Sequence, residues 1–264
     1  MEIIGYTAAV LIGISLGLIG GGGSILTVPV LVYLFGIDAF LATEYSLFIV
    51  GISSLIGSVS YGKKGLVNFK MVSIFGIPSV ISIFLTRIYL LPLIPEEVFR
   101  VGNFMITRNI FLLLVFAGLM ILASYKMIKS NTSEESQEST TDKNNTLLAV
   151  GQGSLVGVLT GLVGAGGGFM IIPALVNLLK IPMKTAIGTS LVIISFNSLI
   201  GFFSSVNNVK IEWKLLISIA IIAVAGIMIG SQLSKKIDGK KLKPAFGWFI
   251  LVMGIYIIIK EIFL

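Results

Sequence analysis

Eight apolar stretches of about twenty residues follow one another along this chain, roughly at positions 3–20, 40–60, 71–91, 108–128, 147–164, 185–205, 213–233 and 244–263. A helix needs about 20 residues to cross about 30 Å of hydrocarbon, so each stretch can span a bilayer. The fold class these runs call for is all-α, a multi-spanning membrane protein. Composition agrees: 56% of the 264 residues are hydrophobic, 12% are charged, and mean hydropathy is +1.04. So few charges cannot cover a water-soluble body of this size. The N-terminal run carries Glu2 and no lysine or arginine ahead of its apolar core. It therefore reads as a mature segment and not as a signal peptide.

The sequence has no cysteine and no histidine. Disulfides, thiol nucleophiles, imidazole or thiolate metal sites and histidine proton relays are excluded together, and no cofactor or metal is expected. A formal charge of +7 could suggest nucleic acid, but the nineteen basic residues are scattered between apolar runs and form no stripe. The partners expected are the lipid bilayer and a small solute, with the oligomeric state left open, a homo-oligomer included.

Residues 130–146 switch to Ser, Thr, Asn, Gln, Glu, Asp and Lys and read as a flexible hydrophilic linker. It separates residues 1–129 from 147–264, and the two parts are copies. At an offset of 144, residues 13–57 align without a gap on 157–201 with 19 identities in 45 positions. Gly13, Gly17, Gly20, Gly22, Gly23, Pro29, Ser46 and Ser54 recur as Gly157, Gly161, Gly164, Gly166, Gly167, Pro173, Ser190 and Ser198. Each copy holds five hydrophobic segments, and an odd number inverts the second copy relative to the first.

Loop charge sets the expected orientation. With the N-terminus outside, 13 of the 19 basic residues fall inside and six, Arg87 among them, fall outside. Both termini are therefore expected outside the cytoplasmic membrane and the linker inside. Charge counting leaves open whether the first two segments of each repeat both cross or dip in and return.

The strongest local pattern is Gly20-Gly21-Gly22-Gly23-Ser24 ahead of a short apolar run with Pro29, and Gly164-Ala165-Gly166-Gly167-Gly168 ahead of another with Pro173. The runs Ile25–Gly36 and Phe169–Leu179 cover only about 16–18 Å as helix and read as half-helices. Glycine frees the backbone and lets a ligand approach main-chain NH groups, and a helix opening there presents unpaired NH groups to an anion. Neither run follows a strand or ends in the Lys-Ser/Thr of a phosphate loop. Gly22, Gly23, Ser24, Gly166, Gly167 and Gly168 are thus candidate backbone donors. Ser46, Thr189, Ser190 and Asn197 are candidate side-chain donors, since Ser46 with Ser53, and Ser190 with Asn197, repeat at seven residues on one helical face. Hydrogen bonds between helices are an equally good use of that stripe. Glu44, an acidic residue well inside a crossing, is a candidate for proton coupling; its counterpart is Gly188.

Taken with Val28-Pro29, Tyr61-Gly62 before Lys70, and Gly188-Thr189-Ser190-Leu191, these glycine-plus-proline repeats resemble the sulfite exporter TauE/SafE family of prokaryotic permeases. The resemblance covers nearly the whole chain and implies an anion permease of the cytoplasmic membrane. The expectation is a secondary transporter, not an enzyme, moving sulfite, thiosulfate or an organosulfonate by alternating access. A channel-like pore, or a membrane enzyme or assembly factor, are the alternatives.

Overall fold

A computed structural model describes residues 2–101, 104–129, 143–179, 181–206, 210–234 and 239–263. Lys180 and most of the polar linker, residues 130–142, lie outside the described residues. The chain is almost entirely helical: α1 (Glu2–Ile19), a 3₁₀ turn (Gly21–Leu26) leading into α2 (Thr27–Tyr33), α3 (Ala39–Gly62), α4 (Phe69–Leu90), α5 (Arg108–Lys129), α6 (Lys143–Val163), α7 (Gly168–Pro173), α8 (Met183–Ser205), α9 (Trp213–Leu233) and α10 (Gly239–Phe263). Among the described residues, six helices are long and apolar enough to cross a membrane: α3, α4, α5, α6, α8 and α9.

Two local departures from the sequence reading have plain causes. Residues 143–146, expected in the linker, are the first turn of α6, because a helix that leaves hydrocarbon can continue in polar residues. Between α4 and α5 stands a small antiparallel hairpin, β1 (Glu97–Val101) and β2 (Phe104–Thr107), pairing Arg100 with Met105. Its β-branched and aromatic residues favour extended backbone once the chain has left the span. Within α4 the backbone widens to a π turn at Val72–Gly76, immediately before Pro78, which has no NH to donate.

The first repeat opens with a helical hairpin. Helix α1 runs about 27 Å, and the 3₁₀ turn plus α2 return about 22 Å. Gly23 packs on the backbone of Ile12 and Leu16, while Phe35 arrives beside α1's first turn, its ring 5.6 Å from that of Tyr6 and edge-on to it. The hairpin therefore leaves the protein on the face where it entered.

The helices pack in exchanged pairs. Helix α1 lies along α9, α4 along α6, α3 along α8 and α5 along α10. Glycine makes the first two contacts: Gly13 meets Ala223 and Gly226, and Gly17 meets Ile227 and Gly230, while Gly157 meets Ser79 and Ser82, and Gly161 meets Ile83 and Thr86. Adding 144 to 79, 82, 83 and 86 returns 223, 226, 227 and 230, so one interface repeats the other with the halves exchanged. Helices α3 and α8 run antiparallel: Gly188 lies against Tyr61, Gly57 against Leu191, Gly51 against Leu199 and Gly201 against Leu47.

The ends sort onto two faces. Asp38 caps α3 by accepting from the Phe40 and Leu41 NH groups and also takes the Asn109 amide at the start of α5. Tyr33, at the end of α2, donates to Glu261 of α10 (2.9 Å), and Lys260 lies over the same ring. These contacts put the beginning of α3 and α5 and the ends of α2 and α10 on one face. The loop 63–68 and the start of α8 form the opposite face, where Asn68 NH donates to Thr189 Oγ1 (2.9 Å).

Candidate functional site

The two glycine breaks meet in the interior. A β-carbon on Gly21 would collide with the backbone of Gly168, and one on Gly168 with the backbone of Gly21. This approach requires glycine on both sides. Gly20, Gly164, Gly166 and Gly167 all hold positive φ, between 65° and 74°, a region L side chains rarely adopt. Left-handed Gly167 followed by right-handed Gly168 turns successive NH groups to one side, the backbone arrangement that holds anions in many proteins.

The α-helical parts that follow are short, seven residues in α2 and six in α7. The half-helix picture is corrected in one respect. In the first repeat the chain leaves the break as a 3₁₀ turn, and in the second α7 passes after Pro173 into a π turn (Ala174–Leu178). Helices this short carry little macrodipole, so any pull on an anion rests on the turn's own amides.

Two buried hydroxyls without a hydrogen-bond partner adjoin the second break. Ser198 Oγ would sit 2.7 Å from a β-carbon on Gly166, and Thr160 Oγ1 points at Gly167; both hydroxyls are unpartnered. So are Thr27 Oγ1 after the first break and Ser46, Ser53 and Ser54 on α3. A buried hydroxyl left unpaired costs about 1–3 kcal/mol, a cost that a polar partner would remove.

The expected donors divide accordingly. Gly22 and Gly23 lie in the 3₁₀ turn, and Gly166, Gly167 and Gly168 in the second break. Ser46 keeps a free hydroxyl. Ser24 donates to Gly21 O (2.7 Å), and Ser190, beside Gly20, donates to Ile187 O (2.8 Å). Asn197 gives its amide nitrogen to Ser79 (2.6 Å) and leaves its carbonyl oxygen unpartnered. Thr189 accepts from the Asn68 NH of the 63–68 loop.

Glu44 is fully buried, and its carboxylate is shared. Oε1 takes Arg87 Nη1 at 2.5 Å, and Oε2 accepts from Ser205 at 2.7 Å. Arg87 also reaches Thr43 Oγ1 (3.4 Å), while its Nε has no partner. Loop counting puts Arg87 outside the membrane body. The structure buries it to 1% exposure in a second π turn of α4, Thr86–Leu90. The symmetry-related position differs: Gly188 replaces Glu44, and Tyr61 replaces Ser205, donating to Gly17 O at 3.2 Å and lying 3.1 Å from Ser234 Oγ.

Sequence reasoning missed Arg87, Thr43, Thr160 and Ser205. One signal was present for Arg87: it lies inside an apolar run, as Glu44 does, and two intramembrane charges of opposite sign call for pairing.

A family model described as sulfite exporter TauE/SafE matches residues 6–257. Three relatives match over more than nine-tenths of this chain. A "Probable membrane transporter protein" of Xylella fastidiosa (strain Temecula1) is 27% identical over 252 residues, covering 94% of this chain and 91% of the relative. The "Probable membrane transporter protein YunE" of Bacillus subtilis is 25% identical over 264 residues, 93% of each chain. A third, from Methanocaldococcus jannaschii, is 27% identical over 270 residues, with 94% and 92% covered. No solved structure matches.

Proposed function

Because this chain belongs to the sulfite exporter TauE/SafE family, whose relatives are named as membrane transporters, we propose that it carries a small sulfur oxyanion across the cytoplasmic membrane, the anion being held where the two glycine breaks meet. The observation that carries this reading is the contact of Gly21 with Gly168, with the unpartnered buried hydroxyls of Ser198 and Thr160 beside Gly166 and Gly167. Amide and hydroxyl groups donate to an anion while remaining neutral when the site is empty, which suits a carrier that must stand unloaded in lipid.

In this reading the two halves are inverted repeats, residues 1–129 and 147–264, and rock about the meeting point of the breaks. The exchanged interfaces and antiparallel α3 and α8 support that arrangement. The exterior face is the one bearing the start of α3 and the end of α10. The loop with exposed Lys63 and Lys64 faces the cytoplasm, in keeping with a basic inner side. Glu44 is the group through which a proton could be coupled to anion movement. Sulfite, thiosulfate and organosulfonates are the substrates proposed, driven by an ion gradient or the membrane potential.

The experiment is uptake of sulfite, thiosulfate and methanesulfonate into liposomes carrying the purified chain. Saturable uptake with counterflow is expected for one of them. Flux no faster than in protein-free vesicles for all three would refute the reading, and flux that follows voltage without counterflow would make the protein a pore.

A further inference from the structure

We propose that Arg87 is the cationic half of the anion site, kept neutral by Glu44 while the site is empty and taken over by the anion when it binds. The inference rests on the transport reading above and adds to it the charged residue that recognises the substrate.

Among the described residues, Glu44 and Arg87 are the buried charges. An ion pair in so dry a setting is a poor way to gain stability, since desolvation of both groups offsets their attraction, and a well-packed apolar pair serves as well or better. Position points to another use. Thr43 touches Arg87 through its hydroxyl on one side, and on the other its Cα and carbonyl oxygen would lie 2.6 Å from a β-carbon on Gly164. One residue thus separates the guanidinium from the second break.

Arg87 is also incompletely used. Nη1 serves Glu44, Nη2 makes a long bond to Thr43, and buried Nε has no partner. A guanidinium's parallel NH groups match two oxygens of a tetrahedral or pyramidal oxyanion. With Glu44 in place the pair is neutral, and an arriving anion competes with the carboxylate for the same donors. Ser205, which donates to Glu44 Oε2, holds the displaced carboxylate in place. The other break has Gly188, Tyr61 and Ser231 at the corresponding positions, so the charge serves one side of the carrier only.

The test is anion binding and flux by the full chain in liposomes, using sulfite, thiosulfate and methanesulfonate. The double variant Glu44→Gln with Arg87→Gln removes both charges and strands neither. It is expected to bind the transported anion about ten- to hundredfold more weakly, the range for charge-assisted hydrogen bonds. Glu44→Gln alone frees the guanidinium and is expected to bind about tenfold more tightly with slower release. A double variant with wild-type affinity makes the pair a structural tie and overturns this proposal while the transport reading stands. A wild-type chain that moves none of the three anions overturns both. Should the double variant fail to fold, Arg87→Lys decides: a point charge without paired NH groups is expected to weaken binding, and unchanged affinity overturns the proposal.

Discussion

Gly21 and Gly168 touch main chain to main chain, each occupying the space where a side chain of the other would begin. Residues 147 positions apart thus define one point in the fold. The contact is the meeting place of the two breaks, and its tolerance is the first thing to measure. Gly168→Ala is expected to destabilise the protein by about 1–3 kcal/mol, because the neighbouring atoms are backbone and cannot turn aside. Gly62→Ala and Gly118→Ala, where a β-carbon meets nothing within 4 Å, are the controls. They are expected to be neutral or to gain up to about 1 kcal/mol from helix propensity. Thermal melting in detergent reads all three.

The unpartnered hydroxyls predict a separation of stability from binding. Ser198→Ala and Thr160→Val remove groups that are desolvated and unpaired in the empty protein, so melting should hold or rise, by up to about 1 kcal/mol each. Anion binding should weaken about five- to tenfold for each. Loss of stability with unchanged binding would assign these hydroxyls to packing.

The exchanged interfaces predict equal sensitivity at partners 144 positions apart. Gly17→Val forces α1 from α9, and Gly161→Val forces α6 from α4. Each is expected to cost about 1–3 kcal/mol or more. Tyr61→Phe, which removes the bonds to Gly17 O and Ser234, should cost less, about 0.5–1.5 kcal/mol. Folded yield by size-exclusion chromatography orders the three.

Orientation is tested by labelling, which a chain without cysteine makes simple. Leu93→Cys, at a position 76% exposed in the loop after α4, should react with an impermeant maleimide in intact cells. Lys63→Cys, in the loop on the opposite face, should react only after the membrane is opened. The reverse pattern would invert the assignment.

Much of this architecture is legible in the sequence, because lipid constrains spans by length and because duplication writes each break twice. Gly20 and Gly164 mark the breaks in any register. What remained hidden depends on distant partners. Nothing local tells that Phe35 returns to Tyr6. Arg87 counts as a loop charge until α3 brings Glu44 beside it, and Thr160 looks like one small residue among glycines until Gly167 turns left-handed. The β1–β2 hairpin is too short to show against so much helix.

The exchanged packing has a consequence for how the protein is made. The glycine face of α1 finds its cover on α9, some two hundred residues later in synthesis, which at about 5–20 residues per second means roughly 10–40 seconds on the ribosome. During that interval α1 lacks the partner helix that covers its glycines in the finished fold. A premature stop anywhere before Trp213 would leave every product without the helix that covers Gly13 and Gly17.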